Sequence, residues 1–205
     1  ADYFQHPPLV MWLQAIVFKI LGATDMTIRV LPTGIAAATL GVVWFWARRV
    51  GGIWAGWVAF GVLLSSTRYV KYSLQFYLDP FLAFFLVLGA ERFHYWLGLS
   101  AGPRGAQAIK WGACTGLAAA LAFLAKGMPA VVLAVAVLIF LAALRDRTGL
   151  KFAIAFFGGG GVVIAAWFML GGGGEYVARY WTESVRARVG PRDFESITAA
   201  SGNLL

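Results

Sequence analysis

The sequence predicts an all-α polytopic integral membrane protein, and three observations carry that expectation. Of the 205 residues, 60% are apolar and only 13% are charged, whereas a soluble domain is roughly 45–50% apolar and about 25% charged. The apolar residues gather in seven blocks, approximately 8–22, 30–47, 53–67, 79–97, 109–125, 128–144 and 152–170. Most approach the roughly 20 residues that a helix needs to cross a hydrocarbon core of about 30 Å. Finally, clusters of basic residues punctuate alternate gaps between the blocks. Together these give about six transmembrane helices, an interfacial N-terminal helix and an outer amphipathic C-terminal helix.

The first block follows "ADYFQHPPLVMWL". Pro7 and Pro8 fix φ twice and disfavour the α region for the residue before them, so the chain is extended up to His6 and a helix starts on the prolines. This block is short and contains Gln14 and Lys19, which suits a helix lying along the interface. Block two opens at Arg29 in "RVLPTG" and closes at Arg48 and Arg49. Block three, "IWAGWVAFGVLLSST", is short for a crossing. Block four begins at "YLDP", where Asp79 is a candidate helix N-cap, and ends in Phe93, His94, Tyr95 and Trp96, an aromatic belt. Block five ends at Lys126 in "LAKGMPA", where Gly127 and Pro129 shape a turn into block six. In block seven the glycines 158–161 permit close helix packing. Beyond it, "EYVARYWTESVRARV" (175–189) sets Val177, Tyr180, Trp181, Val185 and Val189 near one helical face. Residues 1–170 are accordingly expected to form a transmembrane domain, and 171–205 an outer loop with an amphipathic helix.

Orientation follows from charge. Arg48 and Arg49, then Arg104 and Lys110, then Arg145, Arg147 and Lys151 fall on one side if the crossings alternate. The positive-inside rule makes that side cytoplasmic. Residues 1–29, 68–78, the Lys126 turn and the tail from Gly171 are then outside. The net charge of +8 is scattered between apolar blocks, which argues against a nucleic-acid partner. Cys114 is the sole cysteine and cannot form an intrachain disulfide. The glycine runs lack the Lys-Ser/Thr of a phosphate-binding P-loop.

Four features capable of chemistry meet on the outer side: His6 with Asp2 before it, Arg29, Asp79 and Lys126. An ionisable residue at a membrane helix end is a functional candidate, with snorkelling and capping as the ordinary alternatives. Lys126 stands out because no other charge lies near it in sequence.

Taken in order, "YFQHPPL", "RVLPTG", "YSLQFYLDPFLAFF" and "LAKGMPA" resemble the polytopic GT-C glycosyltransferases of the protein O-mannosyltransferase and aminoarabinose-transferase group. The resemblance implies transfer of a sugar from a polyprenyl-phosphate donor, at the outer face of the plasma membrane, to a protein, lipid or glycan acceptor. It makes Lys126, Arg29 and His6 the donor-phosphate residues. The sequence departs from the family pattern in three ways. Gln5 stands where an acid commonly helps hold a divalent cation, so no metal ligand set is assigned and a metal cofactor is left open. Leu74 stands where an Arg is frequent. The family's catalytic acid is expected upstream of Ala1, so residues 1–205 alone are expected to be inactive, with Asp2 and Asp79 as the remaining carboxylate candidates. The competing expectation, favoured by Gln5 and Leu74, is a noncatalytic transporter or scaffold that keeps the fold.

Overall fold

The computed structural model describes residues 8–144 and 147–169, with Gly174, Ala178, Arg179 and Thr182 as isolated positions in the tail. Of these, residues 8–144 and 147–163 belong to one compact unit, and residues 164–169 to another. Every regular element among the described residues is helical: α1 (Leu9–Leu21), α2 (Thr27–Ser65), α3 (Thr67–Ser73), α4 (Asp79–Leu97), α5 (Ala101–Lys126), α6 (Val131–Leu144) and α7 (Arg147–Met169). Three of them are long and apolar enough to cross a membrane by themselves: α2, α5 from Gly102 onward, and α7. The protein is an all-α polytopic membrane protein. The predicted amphipathic segment 175–189 lies outside the described residues except at isolated positions.

The 39 residues of α2 are two helices joined by a tight reversal. At Gly51 the backbone has φ −127° and ψ 15°, and at Gly52 φ 81° and ψ −177°. The second pair of angles is open essentially to glycine alone. The two arms, 27–50 and 53–65, run antiparallel. Tyr69 Oη, just beyond the second arm, donates to the Ala36 carbonyl at 2.6 Å, and Thr33 Oγ1 donates to the Ser73 carbonyl at 3.0 Å. The predicted boundary between blocks two and three is this reversal. Gly52→Ala should therefore cost about 1–3 kcal/mol of stability. Thermal unfolding in detergent checks it against Gly41→Ala, a helical position with open space around it.

Helices α4 and α5 form a long antiparallel hairpin. Trp96 Nε1 donates to the Arg104 carbonyl at 2.9 Å near the connection, Gly89 packs on Ala118 midway, and Asp79 reaches Lys126 at the far end. α6 returns alongside α4 through Leu133 against Gly89 and Phe140 against Phe93. α7 then runs parallel to α5, with Gly112 and Gly116 packed on the backbone of Phe152 and Phe156. The glycine run was expected to allow close packing, and it does: a Cβ at Gly159 or Gly160 would come within 2.8 Å of α5 carbonyls.

These directions bring the Gly51–Gly52 turn, the 98–100 connection and the start of α7 to one end of the bundle. The Ser73–Leu78 segment and Gly127 lie at the opposite end. Of the basic residues expected to share a side, Arg48, Arg49, Arg104, Lys110, Arg147 and Lys151 belong to the first of these ends, and Arg145 lies outside the described residues. One boundary differs. The sequence suggested that helix five starts near residue 109, but α5 begins at Ala101. Pro103 falls in the first turn, where a missing N–H costs nothing, so the polar stretch "AGPRGAQ" continues the helix beyond its apolar part.

Two clusters make up the core. At the Gly51–Gly52 end, Phe93, Trp96, Leu133, Val137, Phe152 and Phe156 are buried together. At the opposite end, Val10 of α1 is buried with Phe81 and Phe85 of α4 and with Ala122, Ala125 and Ala130.

Candidate functional site

The chain builds a charged site above the second cluster from two helix ends. α5 stops at Lys126 because Gly127 adopts φ 83° and ψ −134°, with its N–H bonded to the Phe123 carbonyl at 2.6 Å. Pro129 then sits in the 3₁₀ turn Met128–Ala130 that leads into α6. Lys126 is therefore the last residue of its helix, where the dipole favours a cation. α4 starts at Asp79, followed by Pro80 in the first turn, and there the dipole favours an anion.

Antiparallel pairing of α4 and α5 unites these ends, and Lys126 Nζ donates to Asp79 Oδ1. Two sequence expectations are corrected here. Asp79 is not an N-cap: Leu78 holds that position without a side-chain bond. A charge-assisted bond to an ammonium outweighs a neutral one to backbone N–H, and the carboxylate takes it. Lys126, isolated in sequence, has a partner 47 residues away. The pair stays accessible, with Asp79 46% and Lys126 25% exposed. Below this end lies the buried cluster of Phe81, Ala125 and Val10, and Met128, Val131 and Val132, which follow Lys126, are exposed. An ammonium at a helix end next to exposed apolar residues can receive an anion whose remainder is apolar.

The sequence profile of the dolichyl-phosphate-mannose-protein mannosyltransferase family matches residues 5–170. The chain belongs to this family. No curated protein and no solved structure matches it. The match covers α1 to α7 and so includes both Asp79 and Lys126.

As a member of this GT-C mannosyltransferase family, the protein is a membrane glycosyltransferase. Its other predicted site residues are placed unevenly. Arg29 lies in the first turn of α2, whose Leu31 and Ile35 pack against that buried cluster. Its own side chain is exposed and has no ion pair among the described residues. His6, Gln5 and Asp2 lie outside the described residues, although Leu9 and Val10, which follow the two prolines, are packed into the same cluster. Leu74, standing where the family often has Arg, closes α3 and is half-exposed.

Among the described residues no three His, Cys, Asp or Glu side chains converge as a metal site. Asp79 is engaged by Lys126, so the described residues do not fit a divalent cation. Sequence reading passed over Glu91, which is buried at the other end of α4 and bound by Arg49 at 2.5 Å. Its signal was a lone acid inside an apolar block.

Proposed function

We propose that the protein transfers a sugar from a polyprenyl-phosphate donor to a hydroxyl or phosphate of a protein, lipid or glycan, at the outer face of the plasma membrane. The observation that carries this reading is the Lys126–Asp79 pair standing next to exposed apolar residues at the end of the bundle opposite the basic loops. In the reaction the bond between the sugar's anomeric carbon and the donor phosphate oxygen breaks, and the phosphate keeps the electron pair. The acceptor oxygen bonds the same carbon and gives up its proton to a carboxylate. The growing charge on the leaving phosphate is what Lys126 stabilises, with Arg29 and His6 as further donors. Asp79 is a positioning residue that holds the ammonium in place until phosphate takes it. Asp2, nearest in sequence to the His6-Pro7-Pro8 element, is the candidate proton acceptor. The prenyl chain extends into lipid past Met128, Val131 and Val132, which follow Lys126 and are exposed.

Residues 1–205 in proteoliposomes, given radiolabelled polyprenyl-phosphate sugars and mixed acceptors, are expected to bind the donor without releasing polyprenyl phosphate, and release that disappears in Asp2→Asn would overturn that expectation. No binding of any polyprenyl-phosphate sugar by the folded protein would overturn the donor reading. Orientation is tested separately in a Cys114→Ser background. Cysteines at Ser100 and Thr148 should resist an impermeant thiol reagent in intact cells, whereas one at Ala178 should react. The reverse pattern would move the Lys126 site to the cytoplasmic face.

A further inference from the structure

At the Gly51–Gly52 end of the bundle, a cleft of about 320 Å³ opens where α4 ends beside the first arm of α2. Trp46, Arg49, Val50, His94, Tyr95 and Leu99 line it. None of them belongs to the Lys126 site.

The cleft is cationic for a reason visible in its foundations. Glu91, 2% exposed, is contacted by Arg49 at one carboxylate oxygen and by Arg92 at the other. Two guanidinium groups on one carboxylate leave a net positive charge. Arg48 lies 5.1 Å over the Trp44 ring, and Lys110 lies 4.9 Å over the Trp111 ring. Both add positive charge that no acid offsets through an ion pair among the described residues. Such a field attracts anions.

Its donors are also held in place. Arg49 is 47% exposed, is fixed by Glu91 on one side and lies 5.0 Å over the Tyr95 ring. It uses one of its five N–H groups on Glu91 and keeps others for a ligand. Trp46 Nε1 donates to His94 Nδ1 at 3.2 Å. That bond selects the neutral tautomer with its proton on Nε2, a second donor at the cleft.

The apolar part of the lining indicates what the anion is attached to. Val50 and Leu99 sit among the donors, and the apolar Ile53 and Trp54, just past the turn, are exposed. An anion carrying an apolar tail satisfies both halves, and the volume is about that of ten waters at roughly 30 Å³ each, enough for a phosphodiester headgroup. We propose that this cleft binds the phosphate of an anionic phospholipid from the leaflet at the Arg49 end. Basic pockets between membrane helices suit such headgroups. The site is independent of the sugar-transfer reading.

The test is lipid retention by the full chain in mixed micelles of phosphatidylcholine and phosphatidylglycerol, read by native mass spectrometry. Phosphatidylglycerol should be retained in preference to phosphatidylcholine. Arg49→Gln should reduce its retention by about tenfold, as expected for one charge-assisted bond. His94→Leu, which leaves the Glu91 ion pairs untouched and so keeps the test valid if Arg49→Gln misfolds, should reduce it as well. Lys71→Gln, at the opposite end, should not. Excess glycerol phosphate or inorganic phosphate should fail to displace the lipid. Equal retention of the two lipids, no effect of His94→Leu, or displacement by free phosphate would each overturn the proposal.

Discussion

In the full-length protein, Lys126→Ala is expected to lower sugar transfer by roughly ten- to a hundredfold, the rate equivalent of losing one charge-assisted contact worth about 1.5–3 kcal/mol. The fold should survive, because the Lys126 side chain is partly exposed and its partner Asp79 is nearly half-exposed, so neither charge is stranded in the core. Lys151→Ala is the matched control: it removes a lysine near the start of α7, at the far end of the bundle. Asp79→Asn separates roles. If Asp79 only positions the ammonium, Asp79→Asn should cost less than Lys126→Ala, and the double variant should be no worse than Lys126→Ala alone, because residues acting on one group are not additive. Lys126→Arg should recover part of the rate by keeping the charge. Equal activity of Lys126→Ala and Lys151→Ala at equal expression would remove Lys126 from the site.

The largest expected effect on stability is at Gly116. A Cβ there would fall on the carbonyl of Phe156, and backbone, unlike a side-chain tip, cannot rotate aside. Gly116→Ala must push α7 off α5. That forfeits the dispersion contacts that hold membrane helices together when no hydrophobic force acts between them. Overpacking of this kind costs about 1–3 kcal/mol and occasionally more, and Gly116→Leu should prevent assembly. The glycine run provides internal controls. Gly158 and Gly161 have open space around a Cβ, so Gly158→Ala should be neutral or gain about 0.5–1 kcal/mol from helix propensity. A thermal-unfolding series in detergent reads all of these. Indistinguishable midpoints for Gly116→Ala and Gly158→Ala would show that α5 and α7 are not packed this closely.

Much of this architecture was legible in the linear sequence. Block four begins and ends where α4 does, because Asp79-Pro80 is a helix start that needs no tertiary context. The Gly51–Gly52 break was visible as a gap between blocks, and the family from four short motifs in order. The Asp79–Lys126 pair was harder to see, since it depends on the length and register of two packed helices rather than on local spacing. In retrospect one residue opens block four and the other closes block five, so an antiparallel hairpin brings them together. Glu91 was missed for a related reason. Its burial depends on Arg49, contributed by a different helix, and no local pattern encodes that partner. The early start of α5 was hidden because glycine, proline and arginine in "AGPRGAQ" have the composition of a loop, although their backbone is helical.

The short second arm of α2 has a consequence for the surrounding lipid. Residues 53–65 rise about 20 Å at 1.5 Å per residue, some 10 Å less than an average hydrocarbon core. Trp54, Trp57, Val58 and Val62 on that arm are exposed, so lipid and not protein meets the shortfall. Acyl chains along this side must compress or splay to match the arm, producing hydrophobic mismatch on one flank of the molecule. Thinning is expected beside α3, at the same end of the bundle as Lys126, and it would lower the headgroup plane toward that residue. Sugar transfer by the full-length protein should then vary with the acyl-chain length of the host bilayer, and equal rates in short- and long-chain lipids would count against it.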